Sequence, residues 1–129
     1  MIIVTDTHPR VWFLTANPRL STKAKSTLSD SSNLIVLPSI VMLEIKYLYD
    51  RKRISISFDE VVEKAETSEN VVIHLLDIFV ATFAPVKLEI HDAIIIGTAI
   101  NLSQQHDEPV SLVTRDETIA KSGLVPIIW

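Results

Sequence analysis

The stretch Ser111-Leu-Val-Thr-Arg-Asp-Glu117 ends a short apolar run with an acid, and Ile2-Ile-Val-Thr-Asp-Thr-His8 repeats this arrangement near the other end of the chain. β-Branched and apolar residues favour strands, so we expect Asp116 and Asp6 to lie where strands stop and loops begin. The carboxyl ends of parallel strands meet at one edge of an α/β sheet, where such folds bind their ligands. The two stretches therefore predict an α/β fold with an acidic site.

Strand and helix signals alternate along the rest of the chain. The predicted strands cover residues 2–5, 34–37, 71–75, 111–114 and 125–129. The predicted helices cover residues 10–16, 22–28, 40–49, 58–66, 78–84, 93–105 and 117–121. Strands separated by helices pair in parallel through right-handed connections. We therefore predict a three-layer α/β/α sandwich with a central, mainly parallel sheet, formed by residues 1–129 as a single domain.

Polar residues mark the starts of several predicted helices. Ser21, Ser39 and Asp92 are predicted N-caps, and Ser57 with Glu60 fits a capping box. The run from Ile94 to Ile96 favours a strand by propensity, but the segment to residue 105 is longer than a usual strand. We therefore interpret that segment as a helix.

Composition excludes several kinds of site. The chain has no cysteine, so disulfides, thiolate nucleophiles and thiolate zinc sites are absent. Its two glycines are too few for a glycine-rich dinucleotide or phosphate loop. The formal net charge of −4 gives no global positive field for nucleic acid. Apolar runs are short and no signal segment is recognised, so a cytoplasmic protein without a membrane span is expected.

Acidic residues in apolar surroundings are the candidate site. Asp6, Asp92 and Asp116 are also suited to cap the helices that follow them, whereas Glu44 lies in a helix that is apolar on nearly all sides. Helix starts facing the carboxyl edge of the sheet would bring all four acids together. Clustered carboxylates repel one another, and hard oxygen ligands of this kind select Mg²⁺ or Mn²⁺.

Four motifs resemble those of PIN-domain ribonucleases, and among these especially the VapC-type toxins of toxin–antitoxin pairs. The motifs are Val4-Thr-Asp-Thr-His8, Pro38–Ile45 with Glu44, His91-Asp-Ala-Ile-Ile-Ile-Gly-Thr-Ala99 and Leu112-Val-Thr-Arg-Asp116, and Val125-Pro-Ile-Ile-Trp129 matches the usual ending. The resemblance spans the whole chain. Pro9 and Ala93 depart from the family pattern, where an aliphatic residue and an arginine are usual.

The resemblance implies a Mg²⁺- or Mn²⁺-dependent endoribonuclease that cleaves RNA phosphodiester bonds. Asp6, Glu44, Asp92 and Asp116 match the catalytic and metal-binding acids, and Thr114 matches a hydroxyl that supports the last acid. It also implies a cognate antitoxin protein as partner and a homodimer. Metal would lower the pKa of a bound water and neutralise charge in the transition state.

Basic residues near the acidic motifs are the candidate RNA contacts: Arg10, Lys46, Arg51, Lys52, Arg53 and Arg115. A solvated helix end explains residues 51–53 equally well, because cations favour helix C-termini. His8 and His91 flank two of the acids and are candidate contacts to RNA or metal, although a histidine beside a turn is more often structural.

Two alternatives remain open. One keeps the PIN fold but assigns RNA processing without an antitoxin. The other is a non-catalytic, receiver-like adaptor or signalling domain that binds Mg²⁺. A phosphoacceptor domain of that kind normally needs a lysine after a late strand, and the candidate here, Lys121, falls in a predicted helix.

Overall fold

The computed structural model describes residues 1–129, in which five strands alternate with seven helices. The strands are β1 (Ile2–Thr5), β2 (Leu34–Pro38), β3 (Val71–His74), β4 (Val110–Val113) and β5 (Ile127–Ile128). The helices are α1 (Thr7–Leu14), α2 (Thr22–Ser29), α3 (Ser39–Asp50), α4 (Phe58–Thr67), α5 (Ile78–Phe83), α6 (Ile90–Gln105) and α7 (Glu117–Ser122).

All five strands are parallel and form one sheet in the order β3-β2-β1-β4-β5. Strand β1 is central, and Thr5 at its end is in register with Val113 at the end of β4. This order differs from the 2-1-3-4-5 order of receiver-like domains. The receiver-like alternative therefore lacks the topology it requires.

The hydrophobic core lies on both faces of the sheet, which confirms the predicted α/β/α sandwich. Ile3, Ile35 and Leu112 on the three middle strands are completely buried, because helices cover the sheet on each side. The direction of the strand order reverses after β3. Right-handed connections therefore place α1 to α4 on one face and α5 to α7 on the other.

Two of the predicted helix caps are correct and two are wrong. Ser21 caps α2, and Ser57 and Glu60 form the capping box of α4. Ser39 is instead the first residue of α3, and its hydroxyl accepts a hydrogen bond from the Leu76 amide at 3.0 Å. Helix α6 begins at Ile90, so Asp92 lies in its first turn rather than at its cap.

Several boundaries differ from those predicted. Helix α1 begins at Thr7, three residues before the predicted start, because Asp6 caps it and Pro9 falls in the first turn, where no backbone donor is needed. Strand β3 ends at His74, one residue early. Strand β5 has only two residues because it pairs with β4 alone at the sheet edge.

Helices α5 and α6 approach each other closely at Gly97. A Cβ atom at this position would lie 2.7 Å from the Val80 carbonyl oxygen and 3.0 Å from Ala84 Cα. Only glycine allows this approach, which holds α5 against the middle of α6. None of the helices combines the length and apolar character needed to cross a bilayer.

Candidate active site

The four predicted acids all lie at the carboxyl edge of the sheet. Asp6 directly follows β1, and Asp116 follows β4 after a two-residue connection. Glu44 is in the second turn of α3, which begins as β2 ends. Asp92 is in the first turn of α6, which also starts at this edge. The fold therefore brings together acids that are far apart in the chain.

Thr114 connects the two strand-end acids. Its buried hydroxyl donates a hydrogen bond to Asp6 Oδ2 at 2.7 Å and accepts one from the Asp116 amide at 3.0 Å. Asp6 Oδ1 caps α1 by accepting from the Thr7 amide at 2.7 Å. Asp116 Oδ1 caps α7 by accepting from the Ile119 amide at 2.9 Å. Asp6 and Asp116 therefore each cap a helix and also belong to the acidic cluster.

Glu44 is held in a partly buried position next to the other acids. Its Oε1 atom is shielded from solvent and has no hydrogen-bond partner. Burial raises the pKa of Glu44, and the charges of Asp6 and Asp92 raise it further, while His91 opposes the shift, as does the nearby Thr7 hydroxyl, although its geometry does not satisfy Oε1 as a hydrogen bond would. An unsatisfied buried carboxylate oxygen is costly unless a cation or donor reaches it.

Asp92 has the largest shift among the carboxyl groups. Burial, followed by the charges of Asp116 and Asp6, raises its pKa to about 6 from an ordinary value of 3.8. Glu89, the residue that caps α6 in its place, adds a smaller repulsion. These effects show that Asp92 lies within electrostatic reach of both strand-end acids.

The donor set fits a hard divalent cation. It consists of carboxylate oxygens, one of them buried and unpartnered, and the mutual repulsion of the acids is what a bound cation would relieve. No three acidic or histidine side chains are already arranged as ligands around one point. Binding would therefore need side-chain rotations, which are open to the partly exposed Glu44 and Asp92.

Residues 3–123 match the family model described as PIN domain. The chain belongs to the PIN domain family. No curated protein gives a significant match.

Solved structures share the fold at low sequence identity. The chain is similar to VapBC2 from Rickettsia felis bound to a promoter DNA fragment, with a TM-score of 0.68, 16% identity, and 98% and 97% of the two chains covered. The chain is also similar to VapBC-1 from nontypeable Haemophilus influenzae, with a TM-score of 0.63 and 16% identity, and 98% of this chain and 96% of that chain are covered. For FitAcB from Neisseria gonorrhoeae the TM-score is 0.55 and the identity 18%, and 97% of this chain and 95% of that chain are covered.

A basic groove of this PIN domain runs from the acidic edge of the sheet towards the C-terminal ends of α1 and α3, and Arg19, Lys52 and Arg53 lie just beyond those ends. We name it the Trp12 groove, a cavity of about 640 Å³ whose lining includes His8, Trp12, Arg19, Lys52 and Arg53. The Arg115 guanidinium lies over the Trp12 ring at 6.0 Å, and His8 packs against the same ring at 5.7 Å. His8 is in the first turn of α1, next to the Asp6 cap, so the groove begins close to the acidic edge.

The other predicted RNA contacts are placed elsewhere. Lys46 and Arg51 line a separate cavity, where they stack on Phe58 and Tyr47 and share the lining with Asp50 and Asp59. Arg10 is 2% exposed and lies over Phe13 on the inner side of α1. Its burial removes Arg10 from any surface that faces RNA at the acidic edge, so that part of the prediction is wrong.

Sequence reasoning missed two residues at the acidic site and one in the Trp12 groove. Thr7 follows Asp6 and lowers the pKa of Glu44. Glu89 caps α6, and its charge raises the pKa of Asp92. Arg19 contributes a cation to the Trp12 groove. The acid at position 89 was a detectable signal, because it precedes α6 by one residue and suits a cap as well as Asp92 does. The Arg19 position becomes visible only when α1 and the end of α3 are brought together.

Proposed function

We propose that this PIN domain is a metal-dependent endoribonuclease and the toxin of a type II toxin–antitoxin pair. The observation that carries the proposal is the gathering of Asp6, Glu44, Asp92 and Asp116 at one edge of a PIN fold, with raised pKa values at Glu44 and Asp92. PIN domains are in general nucleases. The resemblance to VapC-type toxins and the fold shared with VapBC and FitAB structures support the finer assignment.

Under this proposal the four carboxylates hold Mg²⁺ or Mn²⁺. Bound metal supplies a water of lowered pKa and neutralises charge that develops on the phosphate. Thr114 fixes the orientation of Asp6 and the backbone of Asp116, so two of the ligands are positioned before substrate arrives. Glu44 and Asp92, whose charged forms are disfavoured by burial and repulsion, gain most from a cation.

The Trp12 groove is the proposed path of the RNA strand. Arg19, Lys52, Arg53 and Arg115 supply positive charge that the molecule lacks overall, and Trp12 provides an aromatic ring at its centre. Single-stranded RNA combines phosphates with unstacked bases, which a groove of cations and one aromatic ring accommodates. The acids then lie at one end of the path.

A homodimer is the proposed assembly. Large apolar side chains that are exposed concentrate between residues 75 and 90, and we name them the apolar face: Leu75, Leu76, Ile78, Phe79, Val86 and Ile90. Exposed apolar surface of this extent is typical of protein interfaces. The cognate antitoxin is the second proposed partner, supported by the likeness to VapBC and FitAB.

The decisive experiment compares wild-type protein with Asp6→Asn. We expect wild-type protein to cleave single-stranded RNA with Mg²⁺ or Mn²⁺, to lose activity with chelator, and to arrest growth when expression is induced. Asp6→Asn should be folded by circular dichroism, inactive and harmless. Asp107→Asn, which removes an exposed acid far from the site, is the matched control. Full activity of Asp6→Asn, or cleavage that ignores chelator, would refute the metal site.

An RNA-processing nuclease without an antitoxin is the alternative that this experiment also separates. Cleavage in vitro without growth arrest on induction would favour processing over toxicity. Growth arrest that is relieved by co-expression of the adjacent gene would support the antitoxin.

A further inference from the structure

Arg10 is a buried cation that the proposed nuclease chemistry does not use. Its side chain is 2% exposed, its Nε atom is shielded and has no acceptor, and no carboxylate forms a salt bridge with it. Burial lowers the pKa of its guanidinium to about 10, which leaves it charged at neutral pH. A buried charge without a partner is unfavourable, so its retention calls for a physical reason.

The guanidinium lines a cavity of about 400 Å³ between α1, the C-terminal ends of α2 and α4, and the start of β3. Helices that follow parallel strands end at the amino edge of the sheet, so this cavity is on the opposite edge from the four acids. No aspartate or glutamate lines it, although acids outnumber cations in the chain. Lys64 is its second cation and Ser31 and Asn70 are among its polar lining residues.

Three of the four hydroxyl groups around the cavity already donate to carbonyl groups at the helix ends. Ser29 Oγ donates to the Lys25 carbonyl at 2.8 Å, Thr67 Oγ1 to the Glu63 carbonyl at 2.9 Å, and Ser68 Oγ to the Lys64 carbonyl at 2.6 Å. These protons are therefore unavailable to a ligand. The side-chain donors that remain free are the guanidinium of Arg10, the Ser31 hydroxyl and the ammonium of Lys64, which has no salt bridge.

We propose that this cavity is an anion-binding site, in which Arg10 and Lys64 bind the oxygens of a carboxylate or a phosphate group. A guanidinium presents two parallel N–H donors to such a group, and a lysine at the rim adds a point charge. The partial negative charge at the ends of α2 and α4 stabilises Arg10 while the cavity is open to solvent. The full positive charges of Arg10 and Lys64 together exceed the partial negative charges of these helix ends, so the cavity keeps a net attraction for an anion.

The site can be tested on the whole protein with two small probes. Inorganic phosphate and acetate are titrated separately against ¹⁵N-labelled protein, with sodium chloride at matched ionic strength as the reference. We expect saturable shifts of the backbone amides of Ser31, Ser32, Asn70 and Val71. Tighter binding of phosphate than of acetate would identify a phosphate ligand, and the reverse order a carboxylate such as an acidic side chain of a partner.

Three variants decide whether the named cations carry the binding. Lys64→Gln, at an exposed position, should weaken the affinity about tenfold, as loss of one charge-assisted hydrogen bond implies. Arg10→Lys, which keeps a charge but loses the two-pronged geometry, should weaken it by about the same factor or more. Lys23→Gln removes the same charge from exposed α2 outside the cavity and should have no effect.

Two results would overturn the proposal. One is the absence of saturable shifts with either probe beyond those that sodium chloride produces. The other is unchanged affinity in Lys64→Gln, a variant expected to fold because the side chain is solvent-exposed. Neither result depends on nuclease activity, so the anion site and the proposed nuclease function are tested independently of each other.

Discussion

The Thr114 hydroxyl donates a hydrogen bond to Asp6 Oδ2 at 2.7 Å, although the two residues are 108 positions apart in the chain. The Thr114 hydroxyl oxygen also accepts a hydrogen bond from the Asp116 amide at 3.0 Å. One side chain thus determines the orientation of the first acid and the backbone position of the last. The predicted metal site depends on this hydroxyl for its two most rigid members.

Replacing Thr114 with valine should therefore affect both stability and activity. The change keeps the shape and removes a hydrogen bond to a carboxylate, which costs about 1.5–3 kcal/mol in unfolding free energy measured with urea. Cleavage should fall at least about tenfold, since Asp6 loses its orientation. Thr114→Ser retains the hydroxyl and should keep most of both properties. Equal effects of valine and serine would assign Thr114 to packing alone.

Asp92 should make the metal-free protein less stable as pH rises. Its pKa in the folded protein, about 6, exceeds the ordinary value of 3.8, so the folded state binds this proton more tightly than the unfolded state does. The contribution of Asp92 to the free energy of unfolding is therefore fully present below pH 3.8 and is lost as the pH rises through about 6. Because Asp92 is partly exposed, we discount the loss to about 1 kcal/mol.

Asp92→Asn tests this dependence by thermal unfolding in chelator. The variant should have a higher Tm than wild-type protein above about pH 7 and a flatter Tm profile between about pH 4 and pH 7. Asp107→Asn, at an exposed position, should follow the wild-type profile. A lower Tm for Asp92→Asn would show instead that its carboxylate mainly stabilises the positive end of α6.

The Trp12 groove separates basic residues that are adjacent in sequence. Lys52 and Arg53 line it, whereas Arg51 stacks on Tyr47 in another cavity. In the inactive Asp6→Asn background, Lys52→Gln with Arg53→Gln should weaken RNA binding and reduce the salt slope by about one to two. Arg51→Gln is the neighbouring control. Equal loss from Arg51→Gln would mean that the whole helix end attracts RNA non-selectively.

Gly97→Ala should destabilise the fold by about 1–3 kcal/mol, because the added Cβ overpacks the contact with α5. The backbone oxygen of Val80, 2.7 Å from the Cβ position, has no room to move within its helix. Gly123→Ala is an instructive comparison, since its Cβ meets no atom but its φ of +65° is unfavourable for alanine. Urea unfolding that ranks Gly123→Ala as much the worse variant would contradict the packing argument.

The apolar face should control assembly. Ile78→Asp with Phe79→Asp places two charges among exposed apolar side chains and should convert a dimer to a monomer in sedimentation analysis. Leu124→Asp changes an exposed leucine outside this face and should leave the assembly unchanged. A wild-type protein that sediments as a monomer would remove the proposed homodimer.

Strand and helix positions were largely predictable because apolar periodicity is a local signal. The predicted strand at residues 2–5 and the capping box at Ser57 are found as expected. Asp92 was misplaced as a cap because Glu89, three residues earlier, is equally able to accept amide hydrogen bonds, and it does so from His91 and Asp92. Two acids of similar capping ability cannot be ranked from sequence.

The fate of Arg10 was not predictable from local sequence. Its position close to an acidic motif suggested an exposed cation at the start of the first helix, but α1 begins three residues earlier, so residue 10 lies inside the helix, where its side chain is buried. The clustering of the acids was predictable in principle from strand ends and helix starts. The sheet order that makes β1 and β4 neighbours depends on long-range packing and is not encoded in any single motif.

The pairing of β1 with β4 also has a consequence for synthesis. Asp6 leaves the ribosome about 110 residues before Asp116 does, and Thr5 cannot pair with Val113 until β4 has left the exit tunnel. A nascent chain therefore carries an incomplete set of acids until the segment with Asp116 has emerged. The cell is exposed to the assembled site only after β4 has paired with β1.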